Sequence, residues 1–236
     1  MSASRFLGAA TLLALLCFAP PSFAADLKDA EAALAAGRHA DALPILKPLA
    51  EGGDRDAQTL LGGLQIAGIG GPQDLRSAFD LFTKAAAQGQ PFAEYNLGLM
   101  YARGDGVEPD LEKAATWYRK AATQGVVVAM TQLSHLLVDG RGVAKDALEA
   151  RQWLERAAKA GDAEAQNQLG ILLANGVDVP VEPVQAYVWF LLADRSGFKA
   201  ARRNVEILGP RLSMGERTKA EQTAAAWQPT VEGTEK

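Results

Sequence analysis

Few side chains in this sequence stand at spacings that chemistry requires. Ser196 and Lys199 are three apart in Ser-Gly-Phe-Lys, a spacing at which a lysine can activate a serine for acyl transfer. The only histidines are His39 and His135, and two imidazoles need further donors beside them to hold a metal ion. Gly68-Ile-Gly70-Gly71 and Gly104-Asp-Gly106 have the outline of phosphate-cradling loops. The acid pairs Asp54/Asp56 and Asp162/Glu164 could in principle divide general acid and base roles.

Each candidate weakens in its sequence context. The S-D-N and K-T-G elements that accompany a catalytic serine-x-x-lysine are absent. The two histidines lie on different segments, and the single cysteine, Cys17, is near the start of the chain. The glycine pairs follow helical runs rather than strands, and no lysine-serine comes after them, so they read as helix turns. The acids precede helical runs, where they suit the positive end of a helix. With a net charge of −4 and no basic tract, the chain has no electrostatic footprint for nucleic acid. The expectation is no catalytic residue, no metal and no cofactor.

The elements that carry these residues repeat. Gly53, Gly89, Gly125, Gly161 and Gly197 are spaced by 36 residues, and a fixed period of this size marks a solenoid. Four copies follow without gaps: 54–89, 90–125, 126–161 and 162–197. A first helix carries Ala57, Ala93, Ala129 and Ala165, then Leu61, Leu97, Leu133 and Leu169, then Gly62, Gly98, Ser134 and Gly170. A turn carries Gly68, Gly104, Gly140 and Gly176, with Gly70, Gly106, Gly142 and the exception Asp178 two residues on. A second helix carries Ala78, Ala114, Ala150 and Ala186, then Leu81, Trp117, Trp153 and Trp189. Small residues let helices approach, and the large residue of the second helix is expected to fill the wedge between pairs. Asp74, Asp110 and Asp146 are expected to cap the second helix, with Pro183 opening it in the fourth copy.

These residues resemble the Sel1-like repeat family, a relative of the tetratricopeptide repeat. The second copy matches the family pattern at Ala93, Leu97, Gly98, Tyr101, Gly104, Gly106, Val107, Asp110, Lys113, Ala114, Trp117, Tyr118, Lys120, Ala121, Ala122 and Gly125. The resemblance implies an all-α fold, a right-handed α-solenoid of stacked antiparallel helix pairs. It also implies scaffold, adaptor or regulatory work in the bacterial envelope, in some members on a signalling protein. Some members are associated with β-lactam binding or cleavage. Those carry a cysteine pair in each repeat, which this chain lacks, so a β-lactam-binding or β-lactamase-like protein stands only as the alternative.

Met1–Ala24 reads as a signal peptide. It has one early cation at Arg5, the apolar run Phe6–Phe18 and a small-x-small site at Ser22-Phe23-Ala24. Lipidation at Cys17 is disfavoured because Leu16 precedes it. The mature chain would be periplasmic or secreted, with a net charge of −5 once Arg5 is lost and no stable membrane insertion. Residues 25–53 form an atypical N-terminal pair, helices Asp26–Ala36 and Ala40–Glu51, with Pro48 expected to end or kink the second. Residues 198–227 form a C-terminal pair with a Ser213/Glu216 capping box, and 228–236 a disordered tail.

In stacked helix pairs related to these, the first helix lines the concave side. Its residues outside the core recur at i, i+3 and i+7. They give a partner-binding face of Phe92, Tyr95, Leu99, Arg103, Val128, Thr131, His135, Asn167 and Ile171. Apolar, aromatic and hydrogen-bonding groups in a concavity suit a protein or peptide partner, bound here by a monomer.

Overall fold

A computed structural model describes residues 23–176 and 178–230, and the described residues contain helices and turns without strands. The signal-peptide reading falls almost wholly outside them, as do the last six residues. The helices are α1 Phe23–Ala35, α2 His39–Glu51, α3 Arg55–Ala67, α4 Leu75–Ala87, α5 Pro91–Arg103 and α6 Leu111–Thr123. They continue as α7 Val127–Asp139, α8 Ala147–Lys159, α9 Ala163–Asn175, α10 Pro183–Arg195, α11 Lys199–Leu208 and α12 Met214–Ala226. Each helix from α2 to α11 packs on the one before it, and α12 packs on α10. The buried side chains accordingly form three clusters along the chain rather than one centre.

The period fixes where helices begin. First helices of the four repeats open at Arg55, Pro91, Val127 and Ala163, and second helices at Leu75, Leu111, Ala147 and Pro183. Asp74, Asp110 and Asp146 each accept from a backbone amide three residues on, answering one of the free donors of the first turn. Glu182 makes no such cap, and Pro183 opens α10 where its missing N–H costs nothing. One hydrogen bond closes every intra-repeat turn: the amides of Asp74, Asp110, Asp146 and Glu182 donate to the carbonyls of Gln65, Tyr101, Leu137 and Leu173.

The turns also need left-handed backbone. Gly106 and Gly142 have φ of +71° and +69°, and a β-carbon on Gly142 would stand 2.4 Å from the carbonyl carbon of Leu111 in the preceding repeat. At the corresponding place in the fourth repeat Asp178 takes φ 58°, the one positive value at a non-glycine residue among those described. Its carboxylate reaches Lys145 Nζ of the third repeat at 3.1 Å.

The wedge between helices is not the tryptophan that the sequence suggested. Trp117 and Trp153 lie partly exposed, with Lys120 Nζ 4.0 Å from one ring centre and Arg156 Cζ 4.7 Å from the other. The buried position is the next residue: Phe82, Tyr118, Leu154 and Phe190, all 3 % exposed or less. Successive residues point about 100° apart on a helix, so two adjacent bulky residues cannot share one inward face. The ring of each buried aromatic lies against the small residue of its own first helix, Phe82 on Gly62, Tyr118 on Gly98 and Phe190 on Gly170. In the fourth repeat Trp189 is buried as well, and Trp227 packs edge-on against it at 6.4 Å.

Two further expectations change. Pro48 does not end α2, which runs to Glu51. Pro44 and Pro48 are one turn apart and both exposed. The carbonyls they leave without amide partners therefore lie toward water, while Ala42, Leu46, Leu49 and Ala50 hold the inner side. The tail does not lose order at residue 228: Thr230 N donates to Lys159 O at 2.7 Å, and Pro229 lies against Gly161. The Ser213/Glu216 capping box forms at the start of α12. No described helix is long and apolar enough to cross a membrane.

Candidate functional site

The first helices α5, α7 and α9 present equivalent residues in four rows, because positions 36 apart fall at the same place in each repeat. Phe92 and Val128 lead, 57 % and 42 % exposed. Glu164 follows them in the same row. The ends of the helices carry Arg103, Asp139 and Asn175, all exposed.

The second row departs from the sequence reading. Tyr95 is half-buried with its ring 5.9 Å from that of Tyr118. Thr131 and Asn167 are buried to 2 % and 3 % exposure. Thr131 Oγ1 donates to Asp162 Oδ1 at 3.3 Å, and Asn167 Oδ1 accepts from Asn204 Nδ2 at 2.8 Å. Both side chains tie one repeat to the next, so Thr131 and Asn167 are not free groove residues. A buried polar group must find a partner, and the nearest one belongs to the neighbouring helix pair.

Burial pushes the Tyr95 phenol up from its ordinary value. The Arg103 guanidinium opposes that rise and the Glu164 carboxylate adds to it. Tyr95 and Glu164 belong to the second and fourth repeats, yet the charge of one bears on the other.

The third row builds a cleft. His135 and Ile171 line a hollow of about 440 Å³ between the C-terminal halves of α7 and α9. Val138, Leu154 and Leu172 supply its apolar surface, and Asp139, Arg141, Lys145, Gln168 and Asn175 its polar surface. His135 Nε2 is buried, makes no hydrogen bond, and lies 3.9 Å from Glu164 Oε1. Of the nine residues expected on the binding face, His135 and Ile171 meet in this cleft. Phe92, Tyr95, Leu99, Arg103 and Val128 lie outside its lining.

The other candidates stay apart. His39 begins α2 while His135 is in α7, and no group of three or more metal-binding side chains occurs among the described residues. Ser196 follows the last residue of α10, and Lys199 begins α11, so the serine-x-x-lysine stretch spans a turn between helix pairs. Asp54 and Asp162 accept from amides at the starts of α3 and α9, occupied as helix caps.

The sequence model of the Sel1 repeat matches residues 55–90, 91–126, 127–162 and 163–197. Among solved structures, a Sel1 repeat protein from Oxalobacter formigenes superposes with a TM-score of 0.75 at 27% identity, over 85% of this chain and 82% of that one. A protective antigen with an SLR fold, present in uropathogenic Escherichia coli strains, superposes with a TM-score of 0.77 at 32% identity. That match covers 86% of this chain and 44% of the antigen, so this chain spans less than half of it. No protein of curated function matches the chain. The comparisons lend the β-lactam reading no support.

Proposed function

The chain belongs to the Sel1 repeat family, and on that premise we propose that it is a non-enzymatic scaffold that docks another protein along the face of α5, α7 and α9. Sel1 repeat proteins generally bind protein partners, and the repeat is typical of interaction scaffolds. The observation that carries the choice of face is the exposure of Phe92 and Val128 at equivalent positions of adjacent first helices. Water-facing apolar side chains in register are costly unless something covers them. The leader-like start supports export, and with it work in the bacterial envelope as an adaptor or regulator of a signalling protein.

Site-specific photocrosslinking in the producing cells tests the face. A benzophenone amino acid at Phe92 or Val128 is expected to give an adduct with a partner protein. The same probe at Leu148, which is equally exposed on the second helix α8, is expected to give none. Adducts from Leu148 alone would remove this face from consideration. Nitrocefin turnover by the purified chain that disappears in Ser196→Ala would remove the non-enzymatic reading.

A further inference from the structure

The cleft between α7 and α9 opens where the third repeat departs from the pairing rule of the others. Repeats one, two and four seat an aromatic ring on a glycine. The third has Leu154 and Ser134 at the two equivalent positions instead, both buried. No ring is present, and Leu154 lines the hollow of about 440 Å³. One wall of the hollow is thus formed by a side chain smaller than the ring at the same position in the other repeats.

Two lining groups are open to a further partner. His135 Nε2 is buried without a hydrogen-bond partner. Arg141 is exposed and makes no ion pair among the described residues, whereas Lys145 on the same turn is answered by Asp178 at 3.1 Å. A guanidinium only donates, and an imidazole N–H can donate too. The group that satisfies both is a carboxylate, which arginine binds in a fork. Asp139 lines the same cleft, and Glu164 stands 3.9 Å from His135. A bare anion therefore meets repulsion, and the apolar wall of Val138, Ile171 and Leu172 must supply the anchorage.

We propose that this cleft takes a large apolar side chain of a bound peptide, with an acidic residue next to it in sequence set against Arg141 and His135. A peptide suits the place better than a small carboxylic acid. His135 lies two turns along α7 from the exposed Val128, so an occupant of the cleft can continue along the groove. The proposal rests on the groove reading above and deepens it.

The test uses a phage-displayed library of random dodecapeptides selected on the full chain. Enriched peptides are expected to share an apolar residue beside Asp or Glu. Ser134→Gly with Leu154→Phe restores the pairing of the other repeats and fills the cleft with a ring. This double variant is expected to retain its helical circular dichroism and melting temperature while binding the selected peptides at least about tenfold more weakly, as for loss of an anchor pocket. Ile171→Trp plugs the cleft from its other wall and should do the same. Arg141→Ala, and Asn for the peptide's acid, should each weaken binding by roughly tenfold, as for a lost charge pair. Peptides without the apolar–acidic pair, or undiminished binding by folded plugged variants, would overturn the cleft assignment. If those peptides instead lose binding on Phe92→Ser with Val128→Ser, the groove reading survives alone. No enrichment at all would count against both.

Discussion

A β-carbon placed on Gly98 would lie 2.6 Å from Cδ1 of Tyr118. Twenty residues of chain separate the two, and each fits only because of the other. Gly98→Ala is therefore expected to cost about 1–3 kcal/mol, the range for overpacking a close-packed interior. The third repeat carries another pair at the equivalent positions, Ser134 and Leu154, both buried. Gly98→Ser with Tyr118→Leu copies it, and the double variant should be less destabilised than its single changes sum to. A double-mutant cycle by urea unfolding measures the coupling, expected at about 0.5–3 kcal/mol for residues in contact. Additive changes would mean that the ring does not rest on Gly98.

Tyr118 and Trp117 separate by burial. Tyr118 is 2 % exposed, whereas Trp117 keeps one side toward solvent beneath Lys120. Tyr118→Ala should cost about 3–5 kcal/mol, as emptying a buried aromatic site does. Trp117→Ala should cost about 1 kcal/mol, mostly lost packing and one cation–π contact. Urea midpoints of the two variants decide this, and equal losses would reverse the assignment of the wedge.

What could be read from the chain beforehand was whatever repeats. Glycines at fixed intervals and the aspartates before second helices place the turns and helix starts, because those local geometries demand those residue types. The wedge was misread because Trp117 and Tyr118 are adjacent, and size alone does not say which faces inward. Thr131 and Asn167 satisfy surface spacing, yet they are buried and bonded to residues of the next helix pair, and no single repeat encodes its neighbour. His135 and Ile171 could be placed on the binding face, but the cleft they line could not. One of its walls is Leu154, an ordinary core residue in sequence whose meaning lies in being smaller than Phe82, Tyr118 and Phe190. The substitution of Ser134 for glycine was the one available signal.

Glu94 is buried where the first and fourth repeats carry Gln58 and Gln166. Its Oε2 accepts from Gln124 Nε2 at 2.7 Å. Burial raises its carboxyl above the ordinary value, against the opposing effects of that hydrogen bond and of the Lys120 charge. A raised folded-state value means that the folded chain binds the proton more tightly than the unfolded one. The stability that this proton contributes is fully present below the unfolded value, near pH 4.3, and is lost as pH rises through the folded value. Glu94→Gln should therefore melt higher than the parent at pH 7, and the gap should close on acidification to about pH 4. Thermal melts across that range check it. A gap that widened in acid would show that the ionised carboxylate stabilises the fold.

Asp178 holds the left-handed conformation that glycine holds at Gly70, Gly106 and Gly142. Aspartate and asparagine tolerate that region, while a β-branched side chain resists it. Asp178→Asn also loses the ion pair to Lys145, whose side chain is 48% exposed against 64% for Asp178. Screened pairs of that kind contribute little, so Asp178→Asn should leave stability within about 0.5 kcal/mol. Asp178→Val loses the same ion pair and adds backbone strain of about 1–2 kcal/mol. The asparagine variant thus isolates the charge and the valine variant the backbone. If urea midpoints of the two variants coincide, the ion pair rather than the turn conformation governs this position. If only the valine variant falls, the conformation required at the turn has outlasted the glycine that supplies it elsewhere.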